Sequence, residues 1–406
     1  MERRVVITGL GIWSCLGTSL DEVRQSLYSG KSGIIFSQAR KDAGFRSALC
    51  ADVPKADLKK YLSRDLRKLM PEEAQYGYLA TIQAMEHAKL DQDFLDQNEV
   101  GVIYGNDSVA EATMTALDKF RQAGSTAACG SGAIFQSMNS TVTMNLATLL
   151  HLRGINLTAS AACASGSHSV GLSYLLIKDG LQDCIICGGA QEANMFSVAS
   201  FDGLMAFSTR EDEPTKASRP FDRDRDGLIP GGGAATLVLE SYEHAVKRGA
   251  PILAEIVGWG FSGNGDHIST PNVAGPTRSL ELCLKNGGIN PRDIGYINAH
   301  ATSTHAGDGR EALAIANIFG DYRVPVTSTK SQTGHEMWMA GASELIYSIL
   351  MMKNDFIGGS LNFENPDEDT ACINVIPETR EAHFDMFLSN SFGFGGTNSS
   401  LIIKNL

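Results

Sequence analysis

No stretch of the 406-residue chain reaches the ~18–20 consecutive apolar residues needed to span a bilayer. A basic excess is missing too. Lys and Arg total 34 against 46 Asp and Glu, a net charge of -12, whereas a general nucleic-acid surface needs the opposite balance. There is no low-complexity tract. Hydrophobic residues make up 43% and charged residues 20%, which excludes a disordered or a collagen-like chain. A clean secretory leader is absent. Met1–Arg4 followed by Val5–Leu10 superficially resembles one, but Gly9 and Gly11 break the apolar stretch and no small-residue cleavage site follows. The segment reads instead as a buried first strand entering a glycine turn.

Paired cysteines are also lacking. The eight cysteines, at 15, 50, 129, 163, 184, 187, 283 and 372, are scattered and read as reduced thiols in a cytoplasmic protein. Cys184 and Cys187 sit in an apolar strand-like run. Three residues apart on a strand, they point to opposite faces, and no second cysteine or histidine pair lies nearby. No metal site and no redox pair are expected. What the chain has in excess is glycine, 42 residues, above the usual ~7% and assigned to specific tight turns.

At roughly 100–200 residues per domain, the length fits two or three domains, or one large α/β unit with duplicated halves. Strand-like and helix-like stretches alternate, which favours α/β architecture. In the first half, a strand at Ile155–Ala159 leads through a small-residue turn into a helix over Gly166–Lys178. In the second, a strand at Pro325–Ser328 leads through Lys330–His335 into a helix over Ala340–Lys353. Two strands around a Gly-rich turn follow each helix, and another strand with a polar end precedes each unit. The order predicts a duplicated fold, with halves 1–252 and 253–406. Thr209–Asp226 reads as an excursion within the first half, not as a linker.

Four features could carry chemistry. Cys163 lies in Ser160-Ala161-Ala162-Cys163-Ala164-Ser165-Gly166, between a strand and a helix. A cysteine at a helix N-terminus is expected to have a lowered pKa and thiolate character. On its own, it reads equally as a small buried turn residue. His300 ends the strand Tyr296–Ala299, and His335 closes Lys330–His335, a turn expected to match that of Cys163 in the other half. Loops beyond the carboxyl ends of strands form sites in open α/β sheets, and all three residues fall there. Asn390-Ser391-Phe392-Gly393-Phe394-Gly395-Gly396-Thr397-Asn398 offers backbone N–H groups to a ligand. It lacks the Gly-Lys-Ser/Thr of a phosphate loop and opens onto a strand.

These four motifs, in this order, resemble the β-ketoacyl-acyl-carrier-protein synthases of the thiolase superfamily along nearly the whole chain. The segments Ile7–Ile12, Ser218–Gly227 and Gly30–Gln38 match as well, the last leaning toward the type I enzyme. The resemblance implies a duplicated, five-layered αβαβα thiolase fold, commonly a homodimer. It implies decarboxylative Claisen condensation, with Cys163 as nucleophile and His300 and His335 acting on a malonyl thioester. It implies an oxyanion hole from the backbone N–H groups of Cys163 and Phe394. Lys330 and Glu311 match charged positions that support the histidines, and Thr302 and Thr304 match hydroxyls that hold a pantetheine arm. Ser108, Met138, Ser200, Phe201, Met337 and Phe394 match the acyl pocket. No cofactor is implied beyond the phosphopantetheine of the carrier. The implied partner, acyl carrier protein, is acidic, as this chain is. Docking therefore requires a local basic patch, for which Lys59, Lys60, Arg64, Arg67 and Lys68 are one candidate and Lys119 with Arg121 another. Each cluster reads equally as a solvated helix face.

The chain also departs from the family pattern. Ala301 and His305 replace a usual Gly and Pro, Leu228 replaces a Phe, and Asn106–Val109 replaces a Gly-rich stretch. Glu336-Met337-Trp338-Met339 stands where Ser-Leu-Gly-Ala is usual. These changes leave every implied catalytic side chain in place and point to an acyl group other than a plain long saturated one. The alternatives are a ketosynthase of polyene or polyketide assembly, and a non-catalytic chain-length subunit, which could pair with a related chain as a heterodimer. A thiolase would need a second catalytic cysteine near the last Gly-rich turn, and none is present.

Overall fold

The computed structural model describes residues 3–406; Met1 and Glu2, at the start of the expected first half, lie outside the described residues. Its main sheet has eleven strands. In the first half these are β1 (Val5–Trp13), β2 (Val100–Gly105), β3 (Asn156–Ala159), β4 (Cys184–Gln191) and β5 (Gly233–Ser241). In the second they are β6 (Ala254–Gly263), β7 (Tyr296–Asn298), β8 (Pro325–Thr327), the short edge strand β9 (Asn374–Val375), β10 (Met386–Gly393) and β11 (Thr397–Asn405).

The two halves repeat one topology. Outward from the centre, the first reads β1-β5-β4-β2-β3 and the second β6-β11-β10-β7-β8. In each half the first two pairings are antiparallel and the next two parallel. An antiparallel pairing of β1 with β6 joins the halves. Duplication is thus visible in connectivity and in strand direction together.

Five helices complete the layers: α1 (Glu72–Ala88), α2 (Ser165–Lys178), α3 (Ala274–Gly287), α4 (His305–Phe319) and α5 (Ala340–Lys353). Helix α1 covers the outside of β1 and β5, and α3 covers β6 and β11. Helices α2 and α5 pack on each other between the two half-sheets. The middle apolar cluster accordingly joins Val170 and Ile177 of α2 and Ile346 and Ile349 of α5 to Ile185, Leu237 and Leu401 of the strands. Two outer clusters fill the spaces under α1 and under α3 and α4. Strand alternation allots the side chains: Ile185 and Cys187 face the middle, Cys184 and Ile186 the outside. The two cysteines therefore do not converge. Helix α5 is apolar nearly all round because it has neighbours on every side.

Glycine permits the close approach of the inner helices. A Cβ on Gly341 of α5 would lie 2.6 Å from the Ser167 nitrogen of α2. The excursion over 209–226 folds onto the second half. The buried guanidinium of Arg225 donates to the Thr304 carbonyl at 3.1 Å, the His305 carbonyl at 2.9 Å and Asp367 at 2.6 Å. It thereby fixes the loop that carries Thr302 and Thr304. Among the described residues no helix is long and apolar enough to cross a membrane.

Gly341→Ala is expected to destabilise the fold by about 1–3 kcal/mol through overpacking at the α2–α5 contact. Urea unfolding checks this; an unchanged midpoint at constant slope contradicts the packing described.

Candidate active site

Each inner helix is entered through one tight turn, Ala162–Ala164 before α2 and Met337–Met339 before α5. The first residue of each turn has positive φ, 45° at Ala162 and 47° at Met337. Such a backbone is strained for a residue with a Cβ and persists only when its surroundings hold it. At Ala162 the holding groups are visible: its N–H donates to Asp107 Oδ2 at 3.0 Å, and the Ser165 hydroxyl donates to its carbonyl at 2.6 Å. Aligned on these turns, the residue corresponding to Cys163 is Trp338. His335 sits three residues earlier, so it does not match Cys163 in the repeat as the sequence suggested.

The expectation of a lowered Cys163 pKa is overturned. Cys163 is buried, and burial pushes its thiol up to about 12. The Lys330 ammonium pulls it down, Asp107 pushes it up, and the backbone N–H groups of Cys163 and Phe394 both hydrogen-bond the sulfur. Local helix polarity was the only influence legible in sequence; desolvation by the packed surroundings outweighs it.

His300 is placed by its own backbone. Its N–H and that of Ala301 donate to the two Glu311 carboxylate oxygens at 2.9 and 2.7 Å, and Asn390 Nδ2 adds a third bond at 3.0 Å. His335 is pinned by its N–H to the Ile229 carbonyl at 2.7 Å. Its Nδ1 accepts the Met337 N–H at 3.3 Å, so the neutral ring carries its proton on Nε2. That Nε2 is buried without a protein partner. The two imidazoles meet edge to face with centroids 5.3 Å apart. Burial, with the Lys330 charge adding to it, holds both well below the ordinary histidine range. Both rings are neutral donors at neutral pH.

Lys330 itself is buried and closely paired with Glu344 of α5. Burial raises Glu311 and Glu336 to about 7 each. Glu336 accepts hydroxyl bonds from Ser343 at 2.6 Å and Tyr347 at 2.8 Å.

One cavity of about 300 Å³ brings Cys163, His300, His335, Thr302, Thr304 and Phe394 together. The Thr302 and Thr304 hydroxyls lie 3.2 Å apart. Phe394 sits in the β10–β11 turn, which reverses through Gly395 at φ 78°. Its ring stacks on Phe201 at 6.1 Å, and Phe201 stacks in turn on Phe207 at 6.3 Å. Leu228 lines the same cavity. Met337 is buried in the apolar cluster that contains Cys163.

Three expected pocket residues are not brought here. Met138 is 42% exposed, Ser200 lies on the outer face of the helix Met195–Gly203, and Ser108 is half-buried; none of them lines the cavity. Of the first basic cluster, Lys59, Lys60, Arg64 and Lys68 are exposed and Arg67 is half-buried, with Lys68 tied to Asp65 at 3.2 Å. Lys119 and Arg121 are exposed on the helix Ala110–Ala123.

Sequence reasoning missed Glu344, Asn390's contact to Glu311, and Asp107's contact to the nucleophile turn. Glu344 had a signal: one carboxylate inside a helix otherwise apolar all round needs a buried partner.

Fold and site together define an acyl-transferring condensing enzyme, with a thiol for covalent transfer and paired neutral donors for a developing enolate. Comparison agrees. Residues 2–245 match the family described as Beta-ketoacyl synthase, N-terminal domain, and residues 253–364 match its C-terminal domain. A 3-oxoacyl-[acyl-carrier-protein] synthase 1 of Haemophilus influenzae is 40% identical over 405 residues, covering 99% of each chain. A solved β-ketoacyl synthase from Burkholderia phymatum superposes with a TM-score of 0.95 at 36% identity, covering 100% of both chains. A chain of a solved structure described as a type II polyketide acyl-carrier protein in complex with its ketosynthase matches with a TM-score of 0.90 at 27% identity, again over 100% of both chains. The chain belongs to the β-ketoacyl synthase family.

Two outcomes follow from the charges. Lys330→Met removes the cation that lowers the Cys163 thiol, so the pH midpoint of iodoacetamide alkylation moves up; an unmoved midpoint contradicts the coupling. Glu336 carries a carboxyl at about 7 in the folded chain against an ordinary 4.5. The folded state therefore holds the extra proton, and stability falls as pH rises from about 4.5 to about 7. Glu336→Gln is expected to remove up to about 3 kcal/mol of that fall, read as urea midpoints at pH 5 and pH 8. An equal fall in both proteins contradicts it.

Proposed function

We propose that the protein is a 3-oxoacyl-[acyl-carrier-protein] synthase that lengthens an acyl chain by two carbons in fatty acid synthesis. The observation that carries this reading is the meeting of a buried thiol, two backbone N–H groups on its sulfur, and two neutral imidazoles at one cavity. The named activity of the Haemophilus influenzae relative supports it.

In the first half-reaction, Cys163 sulfur attacks the acyl thioester. Its backbone N–H and that of Phe394 hold the oxyanion, and the departing pantetheine sulfur takes the proton that the thiol gives up. A malonyl thioester then enters the same cleft, its arm beside Thr302 and Thr304. Loss of CO2 leaves an enolate whose oxygen accepts from the His300 and His335 N–H donors. Neutral donors suit that oxygen, because a full proton transfer would quench the carbanion. Its carbon attacks the acyl–Cys163 carbonyl, the C–S bond breaks, and the departing Cys163 thiolate takes up one proton from solvent, the proton the net reaction consumes. The sequence of steps needs no redox cofactor.

A carrier-protein partner is supported by the polyketide neighbour solved with its own carrier. The exposed basic segment around Lys59, Lys60, Arg64, Arg67 and Lys68 is the docking surface we favour. We place the protein in the cytoplasm as a homodimer. Strand β3 ends the sheet with an open edge and leaves Leu157 43% exposed, while Met114, Leu117 and Phe120 lie bare on the helix Ala110–Ala123. A purely chain-length-setting subunit is disfavoured, because it would not need the thiol, both imidazoles and Lys330 gathered in one place.

Intact-protein mass after mixing with an acyl-carrier thioester tests the reading. An acyl adduct on Cys163, discharged by malonyl-carrier protein as a 3-oxoacyl product, is expected; Cys163→Ala gives none. His335→Ala keeps loading and slows condensation by about 10²-fold or more. A folded protein that takes no adduct from any primer would overturn the proposal.

A further inference from the structure

The cavity at Cys163 has to serve twice. It admits the arm that delivers the acyl group, and later the arm that delivers malonyl. The acyl group parked on the sulfur must leave that path clear, so it must lie on the other side of Cys163. The apolar cluster of Cys163, Val198, Phe207, Leu228, Met337 and Trp338, with Phe201 and Ala206 packed against it, meets the cavity at Cys163, Leu228, Phe201 and Ala206, while Val198, Phe207, Met337 and Trp338 lie off its lining.

One atom in that cluster is out of place. Trp338 is 6% exposed, and its Nε1–H is buried with no hydrogen-bond partner. An indole nitrogen only donates, and no side chain of this cluster offers a strong acceptor. A buried donor left unmade is unfavourable. The atom is closed off within a single chain, so the surface of a second protein cannot reach it. Only a molecule entering the cluster can. The backbone of Trp338 is closely packed. Its backbone carbonyl sits so close to α2 and β4 that a Cβ on Gly166 would come within 2.9 Å of it and one on Gly189 within 2.6 Å. The ring rests 6.3 Å from Phe201, the residue that stacks on Phe394 at the cavity wall.

We infer that Trp338 is a specificity-determining residue, and that the acyl group held on Cys163 carries an acceptor oxygen, as a keto, hydroxyl or ether group, that takes the indole N–H. This assignment rests on the acyl-transfer reading above and goes beyond a plain fatty acyl chain. A site built around a donor discriminates against the analogue that lacks the acceptor, because that analogue buries the N–H unpaired.

The test uses the full-length wild-type protein and acyl-carrier thioesters in matched pairs. Each pair differs by one oxygen in place of a methylene, placed at successive carbons along the chain. Loading of Cys163 from equimolar pairs is read by intact mass. At one oxygen position the oxygenated primer is expected to load in preference by roughly five- to a hundredfold. Trp338→Phe, which keeps a ring and loses the donor, is expected to bring that ratio toward one. A merely structural role would slow both primers together and leave the ratio intact. Equal loading at every oxygen position in the wild type overturns this assignment alone, and so does a preference that survives in Trp338→Phe. No adduct from either member of any pair overturns it together with the acyl-transfer reading. If Trp338→Phe does not fold, the wild-type series decides.

Discussion

The site depends on one buried cation. Lys330 is packed inside the protein against Glu344 of α5, and its charge is felt by every reacting group around it. It lowers the Cys163 thiol, discourages protonation of His300 and His335, and favours the ionised forms of Glu311 and Glu336. A lone ammonium at this depth would be costly, and Glu344 offsets that cost. The geometry leaves the charge near the chemistry without placing it on the substrate. The imidazoles then act as neutral donors in a dry site, where a hydrogen bond to a developing oxyanion counts for more than it does in water.

The duplicated fold explains how these groups meet. Two identical strand orders, joined by β1 and β6, put two inner helices side by side. Both helices begin in the same strained turn, at Ala162 and Met337, and their N-terminal ends touch through glycine. The repeat has diverged in what each turn presents. The first carries the nucleophile. The second carries an indole, with a histidine three residues upstream. The last hairpin, β10–β11, delivers Phe394 to the sulfur from the second half, so neither half holds a complete site.

Much of this was legible in the sequence, because it is written locally. Helix α5 spans Ala340–Lys353 as the apolar pattern predicts, and Cys163, His300 and His335 fall beyond strand ends as the α/β reading requires. Strand β1 runs past the glycine turn expected at Gly9 and Gly11, since its pairing partners carry it on to Trp13. The short helix Met195–Gly203, ahead of the excursion over 209–226, went unread because it shows no one-sided apolar stripe. The state of the Cys163 thiol was misread for a different reason: the helix terminus is local, whereas desolvation comes from residues far apart in the chain. The pairing of Lys330 with Glu344 across a turn, and the exposure of Met138 and Ser200, are likewise properties of packing.

The mechanism requires His300 and His335 to stay neutral in the folded enzyme. Nitrogen-15 NMR of imidazole-labelled protein, followed from pH 5 to pH 8, reads this at the rings themselves. Two rings that do not titrate over this range are expected, with His335 held as the Nε2–H tautomer. Protonation of either ring with a midpoint near the ordinary histidine value of about 6.5 would contradict it.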